Sequence, residues 1–177
     1  QAIQFPHDVM KQLLVRYDQF KAAIPLIEEY GIQVAIENHT DTFTDEILWL
    51  VDKLNHTQIG TCVDNMNAYY VTENPHSAFE KMLPQAYCCH FSDDLVYTDP
   101  LGVHIVGAPH GQGSMDCRRM IRMIREQSPM DKIIMENEIA FRSIDEPIEE
   151  AREREMKACE ESIAFLRNEL KLGIRNR

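Results

Sequence analysis

The chain has 177 residues, 44% of them hydrophobic and 27% charged, the composition of an ordinary soluble globular protein with one sizeable core. Eighteen basic against 29 acidic side chains give a net charge of -11. That balance excludes an electrostatic footprint for phosphate backbones or anionic lipid, so neither nucleic acid nor membrane is an expected partner. No apolar run approaches the roughly 20 residues that cross a bilayer, and the N-terminus lacks a signal-peptide pattern, so a cytoplasmic location is expected.

Five cysteines, Cys62, Cys88, Cys89, Cys117 and Cys159, form no Cys-x-x-Cys pair. They are expected to be reduced, structural thiols. The chain begins with Gln1 rather than Met, which implies processing or a partial chain.

From Phe5 to Tyr30, apolar residues recur every three or four positions, predicting an amphipathic helix that Gly31 stops. Residues 32–37 are apolar and β-branched and read as a strand, followed by the polar turn Asn38, His39, Thr40, Asp41. Thr42 and Asp45 carry capping-box spacing ahead of a second helix through Leu54. Residues 59–64 repeat the strand pattern, and Pro75 opens a short helix over 76–83. A strand over 86–91 comes next. The stretch holding Pro100, Gly102, Gly107, Pro109, Gly111 and Gly113 reads as a long loop too broken for regular structure. A helix over 116–127, a strand over 132–136 and a terminal helix over about 146–171 complete the chain.

The result is α(βα)₄. Strands alternating with helices predict an α/β fold with a parallel sheet and right-handed crossovers. Strand-to-strand steps of about 25 residues suit a TIM (βα)8 barrel. Four βα units are the C-terminal half of one, so residues 1–177 are expected to form a single partial barrel domain with two unpaired sheet edges.

Each predicted strand ends in a potential metal ligand: Glu37, Asp64, His90 and Glu136. Side chains alternate along a strand, so Ala35, Cys62, Cys88 and Ile134 share faces with these four, one layer below. Three carboxylates and an imidazole at one end of a parallel sheet favour a divalent ion such as Mn2+, Mg2+ or Co2+, with Zn2+ also compatible. Open coordination positions would accept two oxygens of a polyol or hydroxycarbonyl substrate. The competing reading is that strand-end carboxylates cap the following helix. Four ligands in four strand-end positions weigh against coincidence.

The segments AIENH (35–39), CVDNMN (62–67), CHFSD (89–93), VGAPHGQGSMD (106–116) and IMENE (134–138) resemble the xylose isomerase-like barrel superfamily, in particular its sugar phosphate isomerase/epimerase group. The resemblance implies that Glu37, Asp64, His90 and Glu136 bind one divalent metal and that Glu37 and Glu136 also act as the acid and base. It places Asn67 at a substrate position, where some ketose epimerases carry histidine, and matches Gly111–Gly113 to a tight turn. His39 and His110, in loops at the strand ends, are further candidates for substrate contact. Glu138 is the alternative ligand if the strand register shifts by two.

The implied activity is metal-dependent isomerisation or epimerisation of a sugar or sugar phosphate by proton transfer next to a carbonyl. Alternatives are a dehydratase of inosose or dehydroshikimate type, or an inert half-barrel that self-associates. The resemblance begins at the helix before the family's fifth strand and runs from helix 4 through helix 8. A missing N-terminal half or a homodimer would complete the barrel.

Overall fold

The computed structural model describes residues 6–173. The predicted helix start at Phe5 lies outside the described residues. Two compact units are present: one runs to His90 and includes Ile124–Ile134, the other holds Phe91–Met123 and continues from Met135.

The first unit opens with α1 (His7–Tyr30), followed by β1 (Val34–Glu37), α2 (Thr44–Leu54), β2 (Ile59–Asp64), α3 (Pro75–Met82) and β3 (Ala86–Phe91). Gly31 ends α1 in the left-handed region at φ 61°, a conformation that glycine alone adopts without steric cost. Strand β1 pairs in parallel with β2, and β2 with β3. A last short strand, β6 (Ile133–Met135), follows β3 in the sheet order β1-β2-β3-β6. The Cys89 N–H donates to the Lys132 carbonyl at 3.2 Å on that side.

The helices cover this sheet because each carries an apolar stripe. Ile27 of α1, Leu50 and Leu54 of α2 and Ile59 of β2 form a buried cluster, with Tyr17, Phe20, Ile24, Ile36 and Trp49 packed around it. All six residues of β2 are buried, as expected of a strand with neighbours on both edges and both faces.

The helix starts refine the capping expectations. Thr42 does not cap α2: its hydroxyl oxygen accepts the His39 N–H at 3.0 Å. The helix begins one residue later, where Glu46 accepts the Phe43 N–H at 3.0 Å and Glu73 accepts both the N–H and the hydroxyl of Thr44 at 2.9 and 2.7 Å. For α3 the prediction holds, with Pro75 in the first turn and the Asn74 side chain accepting the Ser77 N–H at 3.1 Å.

The second unit corrects the sequence reading more deeply. The stretch expected to be irregular contains β4 (Asp94–Asp99) and β5 (Gly102–Gly107), an antiparallel hairpin. Asp99 Oδ1 accepts the Leu101 and Gly102 N–H groups at 2.7 and 3.2 Å, and Gly102 takes φ 139°. Proline and glycine thus fall in the two-residue turn and at the strand ends, where they shape a hairpin instead of preventing one. Helices α4 (Cys117–Gln127) and α5 (Ile148–Asn168) complete the elements. Among the described residues no helix is long and apolar enough to cross a membrane.

Candidate metal centre

Parallel pairing brings the C-terminal ends of β1, β2 and β3 to one side of the sheet. There Glu37, Asp64 and His90 each offer a ligand atom, and these atoms lie within 4.8 Å of one another. His90 Nδ1 is 3.2 Å from Glu37 Oε1, and both side chains are partly exposed. Donors bound to a single ion at about 2.1 Å stand roughly 3 Å apart, so these groups need little movement to share a cation.

Asp64 is the most constrained of the three, at 5% exposure. Its Oδ1 accepts the N–H groups of Met66 and Asn67 at 2.8 and 2.7 Å. The carboxylate closes the turn that leaves β2, in place of capping a helix, and this fixes it at the strand end. Asn38 clasps the same residue from the other side. Its amide nitrogen donates to the Asp64 carbonyl at 3.0 Å, and its side-chain oxygen accepts the Asp64 N–H at 2.8 Å. Sequence reasoning missed Asn38, because a residue one step past Glu37 falls outside the alternating ligand pattern.

Asn67 donates to Glu37 Oε1 at 3.4 Å, which places it beside the ligand cluster. His39 is largely exposed, its Nδ1 3.2 Å from the Thr40 hydroxyl and 3.7 Å from Asp41. Below the cluster, Cys62 is buried, and burial followed by hydrogen bonding to Cys88 and the charges of Cys88 and Glu37 pushes its thiol well above the ordinary cysteine range.

Glu136 belongs to the second unit, immediately after β6, and its N–H donates to the Phe91 carbonyl at 2.9 Å. His110, in the same unit, is 1% exposed, so substrate contact through its ring would require the loop around it to open. Its Nε2 meets the Phe91 carbonyl at 2.8 Å, its backbone N–H donates to Ser162 Oγ at 3.0 Å, and its ring stacks on Phe91. Burial holds its pKa below the ordinary histidine value.

The Gly111–Gly113 turn wraps a carboxylate. Asp93, 1% exposed, accepts the N–H groups of Gly111 and Gly113 on Oδ2 at 2.8 and 3.0 Å and that of Met115 on Oδ1 at 3.1 Å. A Cβ at Gly113 would collide with this carboxylate. The turn's dense run of backbone donors was the available signal that a buried acceptor must lie nearby. The neighbouring Asp94 has its carboxyl pushed up to about 6 by burial and then by the charges of Glu138 and Asp93.

These features define a parallel α/β chain of βα units with a cluster of acidic and imidazole ligands at the C-terminal strand ends. The chain belongs to the xylose isomerase-like TIM barrel family, whose model matches residues 8–169. A 3-oxo-isoapionate decarboxylase of Pectobacterium atrosepticum is 27% identical over 73 residues, covering 41% of this chain and 26% of that protein. Among solved structures, a xylose isomerase-like TIM barrel protein from Mycobacterium smegmatis in complex with magnesium is 19% identical with a TM-score of 0.59, over 93% of this chain and 54% of that one. The 3-keto-D-glucoside 4-epimerase YcjR of E. coli is 13% identical with a TM-score of 0.61, over 93% of this chain and 57% of that one. The chain thus spans little more than half the length of these barrels.

Proposed function

We propose that the chain is the C-terminal half of a divalent-metal-dependent sugar or sugar phosphate isomerase or epimerase, acting by proton transfer next to a carbonyl. The observation that carries this reading is the convergence of Glu37, Asp64 and His90 at the ends of β1, β2 and β3. The resemblance alone adds Glu136, the fourth strand-end acid, to the proposed ligands. The donor set fits a borderline or hard divalent ion of the Mn2+, Mg2+ or Co2+ class.

When bound, such an ion supplies polarisation of a substrate carbonyl and its neighbouring hydroxyl. The chain's own groups do the rest. Glu37 removes the proton from the carbon between them, and the family resemblance gives Glu136 the role of partner acid. Asn67, already donating to Glu37 Oε1, orients that carboxylate and reaches substrate hydroxyls. His39 at the exposed rim contacts the far end of the substrate. Asp64, pinned by Asn38 and by two backbone N–H groups, keeps the cluster open and preformed.

The decarboxylase relative favours a second reading at the same site. Loss of carbon dioxide beside a carbonyl and removal of a proton there leave the same negative charge, so one ligand cluster serves both. In the sheet, β1 is bonded on one side by β2 and β6 on one side by β3. A second copy or an N-terminal half is proposed to supply the remaining strands. Free thiols at all five cysteines are in keeping with a reducing, cytoplasmic compartment.

Calorimetric titration with Mn2+ and Mg2+, followed by an assay of ketoses, keto-glycosides and 3-oxo acids, tests the reading. It fails if no divalent ion binds, or if Asp64→Ala binds as the wild type does. Turnover of oxo acids without sugar epimerisation selects the second reading.

A further inference from the structure

His110 grips Phe91 twice. Its Nε2 meets the Phe91 carbonyl at 2.8 Å, and the two rings stack with centroids 5.5 Å apart. A carbonyl oxygen can only accept, so Nε2 carries the proton and the ring is held in one tautomer. That leaves Nδ1 buried with no hydrogen-bond partner among the described residues. A buried orphan acceptor carries a cost, which the bond at Nε2 must offset.

The imidazole is anchored from behind. Its backbone N–H donates to Ser162 Oγ at 3.0 Å, and that hydroxyl donates to Asn137 Oδ1 at 3.2 Å. Asn137 follows Glu136, whose N–H donates to the same Phe91 carbonyl at 2.9 Å. Four hydrogen bonds and one peptide link thus close a circuit through Phe91, His110, Ser162, Asn137 and Glu136. Phe91, His110 and Ser162 are buried, and in a dry interior such bonds strengthen one another.

Phe91 is the last residue of β3, and His90 is the one before it. On the β2 side the His90 carbonyl accepts the Asn65 N–H at 3.4 Å, near the limit of a hydrogen bond. The Phe91 carbonyl, by contrast, takes two donors at 2.8 and 2.9 Å. The end of the strand is fastened through Phe91. A planar peptide joins the two residues, so holding Phe91 fixes the direction in which the His90 side chain leaves the strand.

We propose that His110 is a positioning residue for His90: through Phe91 it holds the ligand imidazole beside Glu37 and Asp64. The inference rests on the metal centre proposed above and adds to it a residue that touches neither ion nor substrate. Without the Nε2 bond the strand end is freer, and ordering the imidazole then opposes metal binding.

The test measures Mn2+ affinity by calorimetric titration, well below the melting temperature of the same full chains. There a merely structural residue would shift the melting temperature and leave the affinity of the folded chain unchanged. His110→Phe keeps a stacking ring and deletes the donor, while the Phe91 carbonyl retains the Glu136 N–H. It is expected to weaken Mn2+ binding about tenfold. His110→Gln keeps an N–H donor and is expected to bind nearly as the wild type does. Ser162→Ala, which frees the His110 backbone and leaves its ring intact, guards against misfolding of the first variant and is expected to weaken binding by less. Wild-type affinity in His110→Phe or in Ser162→Ala overturns the inference, as does His110→Gln binding as weakly as His110→Phe. Either result with Mn2+ bound by the wild type leaves the metal centre standing, whereas no Mn2+ binding in the wild type fails the metal centre and this inference with it.

Discussion

The imidazole Nδ1 of His90 stands 3.2 Å from Oε1 of Glu37, although the two residues sit on β3 and β1 with β2 between them. A ligand atom of the intervening strand's Asp64 lies within 4.8 Å of both. An imidazole and a carboxylate 53 positions apart in sequence are thereby placed to share one ion.

Asn38 is the support nearest the ligands. Asn38→Ala removes both hydrogen bonds to the Asp64 backbone without touching a ligand atom, and should weaken Mn2+ binding by about 10- to 100-fold. Glu37→Gln, which removes a ligand charge, should weaken it at least as much. Isothermal titration measures both, and wild-type affinity in Asn38→Ala would show that the clasp does not set the ligand geometry.

Asp93 organises the glycine turn. Replacing it with Ala leaves three backbone N–H groups without their acceptor, of which only that of Met115 sits at a buried residue, so a loss of about 1–3 kcal/mol is expected. Urea unfolding reads this directly. Asp93→Asn, which retains one acceptor oxygen, should lose less.

Asp94 makes stability depend on pH. Its carboxyl titrates at about 6 in the folded chain against an ordinary 3.8, so between those values the folded state holds a proton that the unfolded state has released. Stability is therefore highest below the unfolded value and falls as pH rises through about 6, by on the order of 2 kcal/mol. Asp94→Asn should remove this slope and raise the melting temperature at pH 7.5 relative to wild type. An unchanged slope would show that Asp94 is not its source.

Gly60 lies beneath Tyr87 and against the Gln85 carbonyl. Gly60→Ala forces backbone or ring to move, with an expected cost of about 1–3 kcal/mol. Thermal unfolding checks it, and an unchanged melting temperature would show that the strand has room for the added methyl.

Much of the fold was legible because its signals are local. The apolar run IGTCVD announces a strand buried on both faces, Gly31 marks the end of α1, and Pro75 marks the start of α3. The strand-end positions of Glu37, Asp64 and His90 were legible for the same reason: each follows an apolar run. The hairpin of β4 and β5 was not, since its glycines and Pro100 carry the same local signature in a turn as in an irregular loop. Only pairing across Asp94↔Gly107 to Asp99↔Gly102 separates the two. Likewise nothing local told that Asp64 would close the turn after β2 while standing among the ligand candidates.

By itself, then, the sequence determined that this is an α/β chain of parallel βα units, and which side chains stand at the strand ends, because hydrophobic period and strand alternation are short-range properties of the chain. The tertiary structure decided what those residues meet. Register brought Glu37 to His90, and burial closed His110 and Asp93 into hydrogen-bonded interiors. Such contacts depend on distances between residues far apart in sequence, which periodicity does not encode.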